Sequence, residues 1–369
     1  MSDVFDFADS LGPLKVVHIH RPSPGLRAVV CVDNTACGPA IGGVRMAPDV
    51  SAAEAFRLAR AMTFKNAAAG LPHGGGKSVI YGDPKMPNEA KERLVRAFAQ
   101  SIGDITDYIP GPDMGTDERA MAWIKDETGR AVGLPRALGG IPLDEIGATG
   151  FGLFAAIDVA KEYLNLDLKG ATVAVQGFGA VGMHAARHLA RAGAKIVAAS
   201  DSHGALVDEG GLDIEALIAH KHAGGELRTV GLGRKLDREA IVDVPCDIWI
   251  PAARPDVIHA GNVDRLRTKL IAQGANIPCT PEAEMRLHQK GVLSLPDFIA
   301  NAGGVICASV EHHGGSERQA LAVIDEKIRA NTKAVLEEAR YNKQLPRSAA
   351  MALAERRVRE AAGLRRWRD

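Results

Sequence analysis

The segment ATVAVQGFGAVGMHAARHLARAGAKIVAASD, residues 171–201, constrains the fold of this chain more than any other. It contains an apolar strand, a glycine-rich turn, a helix that stops at Gly193, and a second apolar strand that ends at Asp201. This order is a complete βαβ unit, and such units build parallel sheets with helices on both faces. The sequence therefore predicts an α/β fold that contains a doubly wound parallel sheet.

The turn of this unit has the spacing G-x-G-x-x-G at Gly177, Gly179 and Gly182. In such a turn the first glycine makes the bend, the second lets the backbone approach a pyrophosphate, and the third lets the helix pack on the strand. The helix N-terminus adds unpaired N–H groups, and Asp201 stands where a carboxylate can bond a ribose hydroxyl. The pattern predicts a dinucleotide site, and the alternative is a glycine-rich turn in a nucleotide-free domain.

Length and composition narrow the class of protein. The chain has 369 residues, with 45 Lys plus Arg against 45 Asp plus Glu, so we expect two domains and no surface built for polyanions. The cysteines have no paired spacing, which is typical of reduced thiols. No run of about 18 apolar residues occurs, and the N-terminal MSDVFDFADS lacks an apolar signal core. We therefore expect a cytoplasmic protein that does not engage a membrane.

A change of composition indicates where the domains divide. The segment LPRALGGIPLDEIG, which begins at Leu134, carries two Pro and three Gly. We expect a substrate-binding, catalytic and oligomerisation domain over 1–138 and a Rossmann dinucleotide-binding domain over 139–330, around a cleft. Helices over about 331–369 are expected to pack back on the first domain. The glycine-rich region 139–152 is a candidate hinge for closure on a substrate.

A predicted helix over 51–70 carries a lysine that invites a functional interpretation. Ser51 is the expected N-cap, with Glu54 at the matching position of a capping box. Positions 55, 58, 62 and 65 follow helical spacing, so Lys65 is expected in line with an apolar stripe.

A second lysine, Lys77, follows three glycines, which we interpret as leaving room for a substrate beside the backbone. It does not fit a phosphate-binding loop, because no glycine precedes the GK pair by five positions. Two lysines in such surroundings are candidates for lowered pKa values, which suit acid–base chemistry. Asp113, in PGPDMGTDE, is the candidate acidic partner, and a helix N-cap is the alternative role for it.

Seven segments of the chain match one family in the family's own order. They are GPAIGGVRM (38–46), MTFKNAAAGLPHGGGK (62–77), PDMGT (112–116), ATG (148–150), GFGAVG (177–182), QGAN (273–276) and NAGGV (301–305). Together they resemble the glutamate/leucine/phenylalanine/valine dehydrogenases over about residues 30–310. The resemblance implies NAD(P)-dependent oxidative deamination of an L-amino acid to a 2-oxo acid and ammonia. Because Asp201 favours a free 2′-hydroxyl, NAD is the cofactor we expect, and NADP stays open.

The resemblance also implies roles for individual residues. Lys65 would hold the substrate carboxylate, Lys77 would polarise the carbonyl and activate water, and Asp113 would shuttle protons to and from the substrate nitrogen. Thr149, Asn276 and Asn301 look like nicotinamide, substrate and main-chain contacts. The remaining candidates are Ile41, Gly42, Gly43 and Ala308 for the substrate, and Phe178, Ala180, Val181 and Ala253, with the three glycines and Asp201, for the dinucleotide.

Two positions depart from the glutamate-specific pattern of the family. Glutamate enzymes carry a lysine where this chain has Ile41, and a serine where it has Ala308, and both contact the side-chain carboxylate. An unpaired buried carboxylate costs several kcal/mol, so we expect a branched aliphatic substrate of the leucine or valine type. Because Ala308 is small, phenylalanine is the first alternative, and a glutamate dehydrogenase is the second.

Two other classes of function, a non-catalytic regulator and a nucleic-acid binder, fit the sequence less well. A non-catalytic dinucleotide-binding regulator would not need Lys65, Lys77 and Asp113. A nucleic-acid binder would rely on the arginine-rich tail 356–369, but the balanced overall charge favours a solvated or subunit-contacting helix there. The histidine pairs at 18/20 and 312/313 lack ligand spacing, so no metal is expected. We expect a homo-oligomer, as in the family.

Overall fold

The computed structural model describes residues 7–365 and divides into two compact units. The first unit comprises Met1–Leu143, Val305–Ala320 and Met351–Asp369, and the second comprises Asp144–Gly304 and Leu321–Ala350. The C-terminal region expected to return to the first domain is therefore shared between the units. Its residues up to 350 belong to the second unit, and residues 366–369 of the arginine-rich tail lie outside the described part.

Two arginines show why the C-terminal region divides in this way. Arg347 is held by ion pairs to Glu284 and Asp297 of the second unit. Ten residues later, Arg357 donates to the carbonyl oxygens of Ala67 and Ala68 in the first unit, at 3.1 and 2.5 Å. These bonds satisfy carbonyls at the end of a helix, so this arginine of the tail serves the fold.

The elements of the first unit form a mixed sheet with helices on both faces. Its strands follow the order β1-β2-β4-β3-β5, with β1, β2 and β4 antiparallel and β4, β3 and β5 parallel. The elements are β1 (Lys15–Arg21), β2 (Leu26–Asn34), β3 (Ala40–Ala47), α1 (Ala52–Ala68), β4 (Gly74–Tyr81), α2 (Asn88–Ser101), β5 (Tyr108–Pro112) and α3 (Glu118–Thr128).

The second unit contains the predicted βαβ element inside a larger sheet. Strand order is β12-β11-β10-β6-β7-β8-β9, parallel from β12 to β7, with β8 and β9 antiparallel. The α/β class and the doubly wound sheet predicted from the sequence are confirmed. The elements of this unit are α4 (Ala148–Tyr163), β6 (Thr172–Gln176), α5 (Ala180–Arg191), β7 (Lys195–Ser200), β8 (Ala205–Val207), α6 (Ile214–His222), β9 (Arg234–Leu236), β10 (Ile248–Pro251), β11 (Leu270–Ala272), α7 (Pro281–Gln289), β12 (Leu293–Leu295) and α8 (Asp297–Ala300). The helices α9 (Gly303–His312), α10 (Glu317–Asn342) and α11 (Pro346–Gly363) each have residues in both units. Within residues 7–365, every helix is too short or too polar to cross a membrane.

Helix α1 packs on the sheet through smaller residues than the sequence pattern suggested. Ser51 is its N-cap, as predicted, because the hydroxyl accepts from the N–H of Glu54 at 3.1 Å. The buried stripe consists of Ala55, Ala59 and Thr63, whereas positions 58, 62 and 65 are only half-buried. The buried face of α1 therefore lies one position further along the helix than the sequence predicted. Small side chains on this face allow the helix to approach the strand backbone closely.

The three glycines before Lys77 explain this close approach. An ideal Cβ on Gly75 would lie 2.0 Å from the backbone nitrogen of Thr63, and one on Gly74 would lie 1.8 Å from the carbonyl oxygen of Asn34. Gly76 would meet the Tyr108 ring at 2.8 Å. The interpretation that these glycines leave room for a substrate is wrong, because protein atoms already fill that space.

Gly75→Ala is expected to lower the free energy of unfolding by about 1–3 kcal/mol, because the added methyl forces α1 away from β4. Urea unfolding followed by circular dichroism measures the change. The control is Gly231→Ala, where no atom lies within 4 Å of an added Cβ and stability should stay at the parent value. Equal stability of the two variants would show that the packing is looser than described.

Candidate active site

Lys77 and Asp113 meet on one face of the first unit's sheet. Side chains alternate along a strand, and the register aligns Gly43 of β3 with Gly111 of β5, so Asp113 follows on the same face. Lys77 of β4 is 6% exposed, and its Nζ forms an ion pair with Asp113 Oδ2. Three neighbouring strands thus bring together an amine and a carboxylate that are 36 residues apart in sequence.

Gly43 keeps the space beside this pair clear. A Cβ at this position would lie 2.7 Å from the Cβ of Asp113 and 3.0 Å from Lys77 Nζ. Gly42 faces the opposite way, where a Cβ would lie 1.6 Å from the carbonyl oxygen of Gly76. Gly43 and Gly42 both stay predicted substrate contacts, and at Gly42 the space for a side chain is filled by β4.

The backbone around Asp113 is held by a threonine. Thr116 Oγ1 accepts from the Asp113 N–H at 3.0 Å and donates to the carbonyl of Val44 at 2.7 Å. The N-cap of α3 is Asp117, which accepts from the N–H of Ala120 at 2.9 Å. The alternative role of Asp113 as a helix cap is therefore wrong, and its carboxylate is used in the ion pair.

Sequence reasoning missed a second cation at this site. Arg45 Nε lies 3.3 Å from Asp113 Oδ2, the same oxygen that Lys77 contacts, and Arg45 Nη1 lies 2.6 Å from Glu54 Oε1. Glu54 therefore binds Arg45 instead of completing a capping box. One available signal was the position of Arg45 two residues after Gly43, which places both on one face of a strand.

Burial and charge set the protonation of the pair. Burial lowers the pKa of Lys77, and although Asp113 raises it, the Arg45 cation adds to the lowering. Burial raises the pKa of Asp113, but the charge and hydrogen bond of Lys77 and then the charge of Arg45 outweigh it, so this pKa lies below its ordinary value. The cation that lowers the pKa of Lys77 is thus Arg45. The sequence had indicated Lys65 for this effect. Lys65 itself is half-buried in the last turn of α1.

An apolar cluster lies on the same face, one step back along the strands. Ile41 aligns with Ile109 in the β3–β5 register, two residues before Gly43 and Gly111. These two side chains pack with Val132 and Ala308, and all are buried. The structure therefore brings together Ile41 and Ala308, which the sequence assigned jointly to the substrate side chain, and adds Ile109 and Val132 to them.

In the second unit, each glycine of the βαβ turn has a different environment. Gly177 has φ +96°, and its Cβ would meet Ala253 Cα at 2.8 Å, so the turn lies against the end of β10. A Cβ on Gly182 would lie 2.0 Å from the carbonyl oxygen of Gly177. A Cβ on Gly179, in contrast, would have no neighbour within 4 Å. The open space at Gly179, before the N-terminus of α5, fits a pyrophosphate.

Two further dinucleotide candidates have specific surroundings. The Phe178 side chain is 1% exposed and packs in the core, while its N–H donates to the carbonyl of Ser200 at 2.7 Å. A cofactor contact by Phe178 would therefore involve its backbone and not its side chain, and this contact stays a prediction. Asp201 accepts from Lys221 Nζ at 3.0 Å and from the N–H groups of His203 and Leu227 at 2.9 Å each. Asp201 therefore stabilises the loops around the turn and has one acceptor position left of four.

The asparagines of QGAN and NAGGV contact each other. Asn301 Nδ2 lies 3.1 Å from Asn276 Oδ1 and 3.3 Å from the carbonyl oxygens of Gly274 and Ala275. Asn301 is buried and Asn276 is exposed. Asn301 thus orients the loop that presents Asn276. The start of α9 lies close to Thr149, because a Cβ on Gly303 would be 3.0 Å from the Cα of that residue.

Arg347 supports the same loop, a role that its distant position in the sequence did not indicate. Its Nη2 donates to Gln273 Oε1 at 3.0 Å, and its Nη1 pairs with Asp297 Oδ1 at 2.9 Å. Asp297 Oδ2 in turn accepts from the N–H of Ile277 at 2.9 Å. Arg347 therefore contacts the first residue of QGAN directly, and through Asp297 it holds Ile277, the residue that follows QGAN.

Groups of three or more His, Cys, Asp or Glu side chains that could hold a metal ion are absent from residues 7–365. Ala180 and Val181 begin α5, and their contact with a phosphate stays a prediction.

Comparison with known proteins identifies the family. Residues 14–130 match the Glu/Leu/Phe/Val dehydrogenase dimerisation domain, and residues 139–366 match Glutamate/Leucine/Phenylalanine/Valine dehydrogenase. A glutamate dehydrogenase of Aeropyrum pernix is 41% identical over 90% of this chain and 85% of its own length. An NADP(+)-dependent glutamate dehydrogenase of Pyrobaculum calidifontis is 37% identical, with the same shares covered.

A solved structure gives the same picture. The L-tryptophan dehydrogenase of Nostoc punctiforme superposes with a TM-score of 0.77 at 27% identity, over 97% of this chain and 99% of that one. The fold, the glycine turn and the matched segments all indicate the same family. The chain belongs to the Glu/Leu/Phe/Val dehydrogenase family, and it is an NAD(P)-dependent amino acid dehydrogenase, an oxidoreductase that acts on a CH–NH2 group.

Proposed function

We propose that this protein catalyses the reversible, NAD-dependent oxidative deamination of an apolar L-amino acid of the leucine or valine type. The observation that carries this proposal is the Lys77–Asp113 pair on the same sheet face as the apolar cluster of Ile41, Ile109, Val132 and Ala308. The pair supplies acid–base groups for the amine-bearing carbon, and the cluster offers an apolar surface to the side chain.

Lys65, Lys77 and Asp113 each have a defined task in this reaction. Lys65 holds the substrate carboxylate as a point charge. Asp113 accepts the proton of the substrate ammonium, so that the amine is neutral when the hydride leaves Cα. Lys77 polarises the oxygen that water adds to this carbon, and Asp113 returns a proton to the departing ammonia. Bound at the Gly177–Gly182 turn, NAD supplies the hydride acceptor.

The choice of side chain follows from the charge at the apolar cluster. A glutamate carboxylate placed against Ile41 and Ala308 would be buried without a cation, at a cost of several kcal/mol. The relatives' names favour glutamate as the second candidate, because two of them at 41% and 37% identity are called glutamate dehydrogenases. The cluster also accommodates an aromatic side chain if Ala308 leaves room, so phenylalanine stays the first alternative among apolar substrates.

The preference for NAD follows from acidic groups near the turn. Asp201 has one acceptor position left for a ribose hydroxyl, and Glu226 lies beside it, with Oε1 3.3 Å from His203 Nε2. Two cations of this region are already paired, Lys221 with Asp201 and Arg228 with Glu226. A 2′-phosphate would therefore lie beside two carboxylates that already engage these cations.

A substrate panel tests the proposal. NADH formation is measured with L-leucine, L-valine, L-isoleucine, L-phenylalanine and L-glutamate, each with NAD and with NADP. We expect the largest kcat/KM with a branched aliphatic substrate and NAD. A larger kcat/KM with glutamate would replace the proposed substrate, and no turnover with any of the five would refute an amino acid dehydrogenase of this specificity.

Gly179→Val tests the dinucleotide site without disturbing the fold. Since no atom lies within 4 Å of an added Cβ, the thermal midpoint should stay unchanged, while the side chain occupies the space proposed for the pyrophosphate. We expect NADH affinity, measured by fluorescence titration, to fall by at least about tenfold, the equivalent of about 1.4 kcal/mol. Unchanged affinity in a folded variant would place the cofactor elsewhere.

We further propose that the protein is a cytoplasmic homo-oligomer. The first unit matches a domain described as a dimerisation domain, which supports self-association. Domain limits of 1–138 and 139–330 remain our proposal for the substrate and dinucleotide parts. Light scattering at several protein concentrations tests the assembly.

A further inference from the structure

Asp113 receives two cations on one oxygen, and only one of them has an assigned task in catalysis. Lys77 and Arg45 both contact Asp113 Oδ2, and Arg45 is in turn held by Glu54. Arg45 belongs to β3, Asp113 follows β5, Lys77 belongs to β4, and Glu54 belongs to α1. These ion pairs connect residues from four parts of the first unit and thereby fix the position of the Asp113 carboxylate.

Arg45 and Lys77 differ in how permanent their charges are. A guanidinium keeps its proton throughout the physiological range, whereas a buried lysine gives its proton up readily. Arg45 uses two separate edges, Nε toward Asp113 and Nη1 toward Glu54, so it bridges two carboxylates in a way that an ammonium cannot reproduce.

Without Arg45, Asp113 would lose its counter-charge whenever Lys77 is neutral. A buried carboxylate with no cation takes up a proton instead of staying charged. In the proposed reaction Asp113 must be an anion in order to accept the ammonium proton of the substrate. We propose that Arg45, held by Glu54, is a positioning residue that supplies the permanent cation beside Asp113 and fixes the direction of its carboxylate. This inference rests on the proposed function of Asp113.

Within residues 7–365, the charged contacts described for Asp113 come from β3 and β4 and, through Arg45, from α1. From β4 comes Lys77, from β3 Arg45, and from α1 Glu54 through Arg45; the Tyr108 hydroxyl lies under the sheet, bonded to Ser78 Oγ at 2.6 Å. Lys65 lies three helical turns beyond Glu54 on α1. Arg45 is therefore the permanent cation that the described contacts place on Asp113.

The test is the pH dependence of kcat/KM in Arg45→Met and Arg45→Lys variants. Loss of the cation raises the pKa of Asp113, so a higher pH is required to reach the anion that accepts the substrate proton. It also raises the pKa of Lys77, which keeps the polarising ammonium charged to a higher pH and does not oppose this shift of the acid limb. In Arg45→Met the acid limb should move upward by about one pH unit. Arg45→Lys restores the charge, so its acid limb should return most of the way to that of the parent. Arg57→Met, an exposed arginine on α1, is the matched control and should leave the limb in place.

A second readout does not depend on turnover. The carboxyl titration of Asp113 is followed by ¹³C NMR and assigned by its disappearance in Asp113→Asn. A titration midpoint that is higher in Arg45→Met than in the parent supports the inference. An unchanged midpoint in the folded variant, or an unmoved acid limb with reduced kcat, overturns it. If the parent turns over none of the amino acids, the proposed function fails, and the NMR midpoint still decides whether Arg45 holds Asp113 charged.

Discussion

Asp113→Asn and Lys77→Ala should each lower kcat by about 10²–10⁴-fold, because each removes a proton-transfer group from the reacting carbon. Substrate affinity should change less, since the substrate carboxylate is assigned to Lys65. The double variant should lose little more than the worse single variant, because residues that act as a unit are non-additive. Initial rates with the preferred substrate and NAD provide the measurement.

A matched ion pair in the same unit provides the control. Lys15 Nζ lies 2.7 Å from Asp107 Oδ2, with the lysine largely exposed. Lys15→Ala and Asp107→Asn should keep near-parental rates, because neither residue belongs to the proposed site. Parental rates in Asp113→Asn or Lys77→Ala would remove the basis of the proposed mechanism.

The double change Ile41→Lys with Ala308→Ser should transfer the preference from an apolar substrate to glutamate. The parent is expected to favour the apolar substrate over glutamate by roughly 10²–10³-fold in kcat/KM, since several kcal/mol separate a paired from an unpaired buried carboxylate. An added ammonium and hydroxyl in the cluster would pair with that carboxylate. At the same time they would leave an apolar side chain against an unpaired charge, so activity with leucine should fall.

Ile41→Leu with Ala308→Gly controls for the change in shape. This variant alters the volume of the cluster without adding charge. The ranking of kcat/KM among apolar substrates should change, because one methylene is worth about 1–3 kcal/mol. The kcat/KM with glutamate should stay low. The substrate panel described above measures all variants. A parent that already prefers glutamate would show that its carboxylate finds a cation that the cluster does not contain.

The local elements and the family were accessible from the sequence because their signals are short-range. The βαβ unit, its glycine spacing and the Ser51 cap depend on neighbours within a few residues, and the structure contains all of them. The motif set singled out Lys77 and Asp113 as a pair. Their contact confirms that the motifs converge in space, while their roles in catalysis remain a prediction.

Other expectations failed because they depend on what packs against a residue. The glycines before Lys77 were interpreted as room for a substrate, yet the atoms that fill that space come from α1, β2 and Tyr108. The apolar stripe of α1 was expected to include positions 58 and 62, but Ala59 and Thr63 are buried instead. Spacing along the chain identifies such positions without showing which neighbour occupies their volume.

The sequence by itself determined the α/β class, the dinucleotide turn and the family, since each is encoded in contiguous patterns whose physics is local. Tertiary structure alone decided that Arg45 and Glu54 join Lys77 and Asp113, and that Arg347 supports the QGAN loop. Those contacts join strands and helices that are distant along the chain, and their energy depends on burial and on charge separations of a few ångströms. Neither quantity exists until the sheet has formed.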